Sequence, residues 1–275
     1  MSETRASTPS ADRFLDDLNP AQLEAVTHRG GHCLVLAGAG SGKTRVLTHR
    51  IAWLIAEEGV DPAAICALTF TNKAAAEMRR RVRRLLDDRE VGTALWLSTF
   101  HSLGLRLLRE WSEIGVGDRR PGAGRRAIPR EGAAGSVPAF TITDPASRAG
   151  LTAFSPLPPP GFAVYDRDAS LAVWRRAQAA LRVSPRDYDP AKLFNACSRA
   201  VNRLEDPASW DENRQSWERR ITGRIWQRYR AEMREAGAVD FDDLLHLPLQ
   251  ALARDAELRR RTAARIAHLL IDEYQ

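Results

Sequence analysis

The stretch His32-Cys33-Leu34-Val35-Leu36-Ala37-Gly38-Ala39-Gly40-Ser41-Gly42-Lys43-Thr44 constrains this chain more than any other. Cys33 to Leu36 is a short apolar run that reads as a buried strand. A glycine-rich turn follows, and a helical pattern with Val46, Leu47, Ile51, Leu54 and Ile55 on one face runs over 45–58. Strand, loop and helix in that order are the context a phosphate-binding loop requires. The glycines let backbone N–H groups turn inward around an anion, and the helix N-terminus adds positive potential at the same spot. Lys43 is placed to reach the β- and γ-phosphates, and the Thr44 hydroxyl to hold Mg²⁺. The strict G-x-x-x-x-G-K-T pattern fails at its first position, where Ala37 stands in place of glycine.

The rest of the chain repeats the alternation. Ile65 to Phe70 reads as a second strand, followed by a helix from Ala74 to about Leu86. Ala94 to Leu97 reads as a third strand, and a helix from there runs to about Trp111. Alternating strands and helices predict a parallel α/β sheet with ligands beyond the C-terminal strand ends. The loop at 37–44, Thr69–Lys73 and Ser98–His101 all fall at such ends, which predicts one shared site. The pattern breaks over 117–161, a stretch rich in Gly, Pro, Arg and Ala that reads as a long disordered insert. Residues 1–13 read as a disordered tail. Helical spacing resumes over 168–181, 190–204 and about 209–236.

In the last of these, tryptophans interleave with arginines. Such a pattern can stack nucleic-acid bases, but helical spacing favours Trp217, Ile225 and Trp226 as core. Asp240, Asp242 and Asp243 open a further helix, where its dipole favours acids; a metal site is the sharper alternative. Ile266 to Ile271 is a fourth strand, ending in Asp272-Glu273-Tyr274-Gln275. Paired with the loop at Lys43, that carboxylate couple points to nucleotide hydrolysis, with Asp272 on Mg²⁺ opposite Thr44 and Glu273 on the attacking water.

Composition narrows the partner class. The formal net charge is +6 and the pI about 9.7, which favours a polyanion. The basic residues are nearly all arginine, with lysine only at 43, 73 and 192. A compact ammonium at position 43 fits a phosphate cradle where a guanidinium would not. Cys33, Cys66 and Cys197 carry no metal or disulfide spacing and read as reduced core residues of a cytoplasmic protein. No apolar run is long enough to span a membrane.

Six segments in order resemble the front of a UvrD/Rep-type (PcrA-like) superfamily 1 DNA helicase. They are Leu18–Gln22, Ala37–Arg45, Leu68–Ala75, Ser98–His101, Phe241–Leu245 and Ile271–Gln275. Alanine at position 37 is normal for that family. The resemblance implies a RecA-like P-loop domain, truncated, with an inserted all-α subdomain: a first motor segment over 14–111, the insertion over 112–222 and the returning motor segment over 223–275.

The resemblance also implies roles. Gln22 would read adenine; Ala37, Gly38, Ala39, Gly40, Ser41, Gly42, Lys43, Thr44 and Arg45 would hold ATP; Thr44 and Asp272 would hold Mg²⁺. Lys43, Glu273 and Gln275 would serve catalysis, and Gln275 would couple nucleotide state to movement. Phe70, Asn72 and His101 would line the path of single-stranded DNA. The implied parent is a 3′-to-5′ translocase acting on single strands and 3′-tailed duplexes in repair, replication or recombination. It needs a second motor domain that these residues do not include. Two other readings stay open: a non-motor module that binds nucleotide and DNA without unwinding, and the front of a recombination helicase–nuclease subunit.

Overall fold

The computed structural model describes residues 12–87, 91–114, 157–211 and 216–274. The 1–11 part of the expected tail, the 117–156 part of the expected insert and Gln275 therefore lie outside the described residues. The chain divides into two compact units, one comprising residues up to Phe100 together with those from Thr262 onward, the other His101–Arg261.

The first unit is built on a parallel sheet. It contains α1 (Asp12–Leu15), α2 (Pro20–Thr27), α3 (Lys43–Ala56), β1 (Ile65–Thr69), α4 (Asn72–Leu86), α5 (Val91–Ala94), β2 (Trp96–Thr99) and, at its end, β5 (His268–Ile271). The strand order is β2-β1-β5, with Leu68 opposite Ser98 on one side and Ile271 on the other. All five residues of β1 are buried, as expected of a central parallel strand covered on both faces. The core gathers Val46, Ile51 and Leu54 of α3, Met78 and Val82 of α4, and Ile65 and Leu97 of the sheet. Each such side chain contributes about 1.5–3 kcal/mol by leaving water.

The helix starts follow from side-chain caps. Asn19 accepts from the Gln22 amide at 2.9 Å while Gln22 accepts from the Asn19 amide at 3.2 Å, a reciprocal box with Pro20 in the first turn. Thr71 accepts from the Ala74 amide at 3.1 Å to begin α4. That helix stops at Asp87, which adopts the left-handed conformation at φ 49°.

Three expectations are corrected here. The run Cys33–Leu36 forms no strand, and Leu34, Val35 and Leu36 are 66%, 43% and 87% exposed. A strand exists only through a neighbour's ladder, and among the described residues no strand pairs with this run. Cys33 is accordingly exposed rather than core, whereas Cys66 and Cys197 are buried. The strand expected from Ala94 begins instead at Trp96, because Ala94 closes the short helix α5.

The second unit is helical: most of α6 (Phe100–Glu113), α7 (Arg167–Ala180), α8 (Pro190–Asn202), α9 (Trp217–Glu235) and α10 (Asp243–Arg254), with α11 (Ala256–Ala264) at its end. A two-residue parallel ladder joins β3 (Ala163–Val164) to β4 (Ala238–Val239). An aromatic cluster fills the core. Trp174 lies 5.7 Å from Tyr229 between ring centroids, and Trp226 lies 5.5 Å from Tyr229. Because α9 is one continuous helix of 19 residues, no fold boundary falls at the 222–223 junction, and the residues from 223 to 261 pack with the helical unit.

Ile225 and Trp226 are core, as expected, but Trp217 is 63% exposed. At 100° per residue Trp217 projects from the side of α9 that carries Arg220, Arg224 and Arg228, away from Ile225 and Tyr229. The helical wheel of the sequence already contains that signal.

Candidate nucleotide and nucleic-acid sites

Within the sheet unit, Gly38 to Lys43 form a tight turn ahead of α3. Gly40 and Gly42 take φ of 76° and 90°, values at which a side chain would be strained. A Cβ at Gly42 would also meet the Gln22 amide nitrogen at 2.8 Å. The Ser41 hydroxyl donates to the Gly38 carbonyl at 2.7 Å. Gly42 supplies no side-chain cap to α3, so the helix presents its first-turn N–H groups and its positive dipole end at the loop.

The Lys43 ammonium donates to the Ala37 and Gly38 carbonyls at 3.0 and 3.1 Å. Among the described residues its hydrogen bonds thus go to carbonyl dipoles of the same turn. A bound phosphate would exchange those contacts for charge-assisted ones. Gln22 is tied to this loop from α2, donating to the Ser41 carbonyl at 3.0 Å while its amide oxygen serves the Asn19 cap. Arg45 faces Asp17 at 3.6 Å.

Asp272 follows β5 directly, and its amide continues the ladder to the Leu68 carbonyl at 2.9 Å. Burial first, and then the neighbouring Glu273 carboxylate, hold the Asp272 carboxyl above its ordinary range; Lys43 pulls it the other way. A divalent cation would add to the pull toward the carboxylate form. Glu273 sits in the left-handed region at φ 59°. Gln275 lies outside the described residues. No group of three or more His, Cys, Asp or Glu side chains able to hold a metal by themselves occurs among the described residues. Thr44 and Asp272 carry oxygen donors of the kind Mg²⁺ takes, too few to hold it without phosphate oxygens and water.

Of the residues assigned to DNA, Phe70 follows β1 and is 81% exposed, so the ring is not core. Asn72 is exposed in the first turn of α4. Both belong to the sheet unit, and His101 to the helical unit. There the exposed His101 ring lies 6.0 Å from the Phe241 ring, itself 53% exposed. Phe241 stands inside a motif segment, and its exposure next to two buried aspartates went unread in the sequence.

Those aspartates are structural. Tyr229 donates to Asp240 at 2.7 Å, and Arg230 pairs with Asp243 at 2.5 Å. Asp240 and Asp243 cap each other's backbone at 2.9 and 3.2 Å. Burial, then the charge of Asp243, pushes the Asp240 carboxyl up to about 6. A guanidinium fills the place that a metal reading of these acids requires.

Residues 18–275 match the profile of the UvrD/REP helicase N-terminal domain. The chain is 37% identical over 270 residues to a protein of Mycobacterium leprae named ATP-dependent DNA helicase UvrD1, covering 96% of this chain and 29% of that protein. It is 32% identical over 266 residues to ATP-dependent DNA helicase PcrA of Leuconostoc citreum, covering 97% of this chain and 30% of that protein. The chain thus spans under a third of the length of these relatives. Among the described residues, no helix is long and apolar enough to cross a membrane.

Proposed function

The chain belongs to the UvrD/REP helicase N-terminal domain family, and from that membership we propose that it is the Mg·ATP-binding front of a DNA-translocating motor. One observation carries the reading: an exposed glycine turn ahead of α3, with the Lys43 ammonium folded over the Ala37 and Gly38 carbonyls, lies in the same unit as the Asp272 strand end. The backbone N–H groups from Gly40 to Thr44, with the Lys43 ammonium, would hold the phosphates. Thr44 and Asp272 would hold Mg²⁺, which neutralises charge on the β- and γ-phosphates. Glu273 would take a proton from water at its carboxylate. Gln22 and Arg45, both anchored beside the loop, would face the base and the phosphates.

Within the sheet unit single-stranded DNA would run past Phe70 and Asn72; within the helical unit His101 would be a DNA contact of its own. A stacked base is worth about 1–3 kcal/mol. Phe70→Ala should therefore weaken oligothymidylate binding roughly 5- to 150-fold in a fluorescence anisotropy titration. The melting temperature should stay put, since the ring is already 81% exposed. A clear loss of stability with unchanged DNA affinity would refute this assignment.

For the chain on its own, the exposure of Leu34, Val35 and Leu36 directly ahead of the loop favours a second reading, nucleotide binding without efficient turnover. A loop whose entering segment has no ladder is held less firmly than one anchored in a sheet. Unwinding of a 3′-tailed duplex is accordingly proposed for proteins of the relatives' full length.

A further inference from the structure

We propose that the solvent face of α9, built from Trp217, Arg220 and Arg224, is a separate contact surface for single-stranded DNA. The inference rests on the DNA-binding reading above but uses none of its residues. Trp217 sits at the first position of the helix and is 63% exposed, although six other tryptophans in the chain are available for comparison and every one of them that is described is buried. The Arg220 guanidinium lies 5.1 Å over its ring. One ring face is thereby backed by a cation, and the exposure leaves area for a planar partner. Arg224 follows one turn later, so Trp217, Arg220 and Arg224 form an i, i+3, i+7 stripe.

Charge decides the partner class. Further along the same helix, Arg228 is matched by Glu232 at 3.0 Å, and Arg176 of α7 approaches the same carboxylate at 3.5 Å. Arg230 is matched by Asp243. Among the described residues, Arg220 and Arg224 have no carboxylate partner. Two guanidiniums without a carboxylate partner among the described residues, beside an exposed indole, suit a ligand that offers both phosphates and unpaired bases. A duplex offers the phosphates but keeps its base faces stacked inside, so the indole selects the single strand.

The test uses the whole chain and fluorescein-labelled oligothymidylate, titrated by anisotropy over a range of salt concentrations. Trp217→Ala should weaken binding roughly 5- to 150-fold with an unchanged salt slope, because stacking releases no counterion. Arg220→Gln with Arg224→Gln should reduce the slope of log K against log salt by about 1.4, or 0.7 for each single-strand phosphate released. Both variants should melt with the wild type, since the altered side chains stand on the solvent side of the helix. If both bind like the wild type while Phe70→Ala binds weakly, the surface is not a contact and the DNA reading survives. If the wild type fails to bind, both fall. A loss seen on blunt duplex but not on the single strand overturns the proposal as well.

Discussion

Lys43→Ala is expected to weaken Mg·ATP binding about 10- to 150-fold, measured by titration of a fluorescent ATP analogue into the wild-type and variant chains. Among the described residues the ammonium's hydrogen bonds go to the Ala37 and Gly38 carbonyls, and the loop around it is exposed. It therefore supports little of the fold. With phosphate bound, the same ammonium makes charge-assisted contacts worth roughly 1.5–3 kcal/mol. Loss of binding with an unchanged melt is the signature of a ligand group. Affinity within about threefold of the wild type would remove Lys43 from the site.

Gly104→Ala is expected to have the largest effect on stability. Glycine inside a helix normally costs about 1 kcal/mol relative to alanine, so the change would ordinarily stabilise α6. Here the sign reverses. A Cβ on Gly104 would fall 1.8 Å from the Leu244 carbonyl oxygen and 2.9 Å from its carbon, both backbone atoms of α10. The reason lies four residues on. Pro248 sits inside α10 and has no N–H to donate to the Leu244 carbonyl, which is left facing α6. Only a residue without a side chain lets the two helices approach there. Forcing them apart should cost about 3 kcal/mol or more, and lower the melting temperature of the helical unit by roughly 10 °C. A midpoint within about 2 °C of the wild type would show that the two backbones are not in contact.

These two residues mark what could be read in advance. The turn around Lys43 was legible because it depends on local order: a run of glycines, then a helix start, all within eight residues. β1, α3 and α4 were legible for the same reason, since burial imposes periodicity along a short span. Gly104 was not, because its constraint comes from a proline 144 positions away in sequence. The buried set of Tyr229, Arg230, Asp240 and Asp243 was partly visible as a run of acids at a helix start. Its partners lie a full helix earlier, and neither charge nor spacing announces them.

The run Cys33–Leu36 shows the opposite failure. Its composition is that of a buried strand, but strand formation depends on a neighbouring edge, and composition carries no information about whether one is present. Trp217 was misassigned for a simpler reason: tryptophan was weighted by its hydrophobicity, when its angular position on α9 already set it among arginines.

We propose that the loop at 37–44 and the end of β5 hold one metal–nucleotide complex. Paramagnetic Mn²⁺, substituted for Mg²⁺ in the presence of a non-hydrolysable ATP analogue, tests it directly through the amide resonances of the isotopically labelled chain. Nucleotide-dependent broadening is expected to be strongest at Thr44 and Asp272, and to be lost at Asp272 in Lys43→Ala. Broadening centred on Asp240–Asp243, or at Thr44 without Asp272, would contradict it.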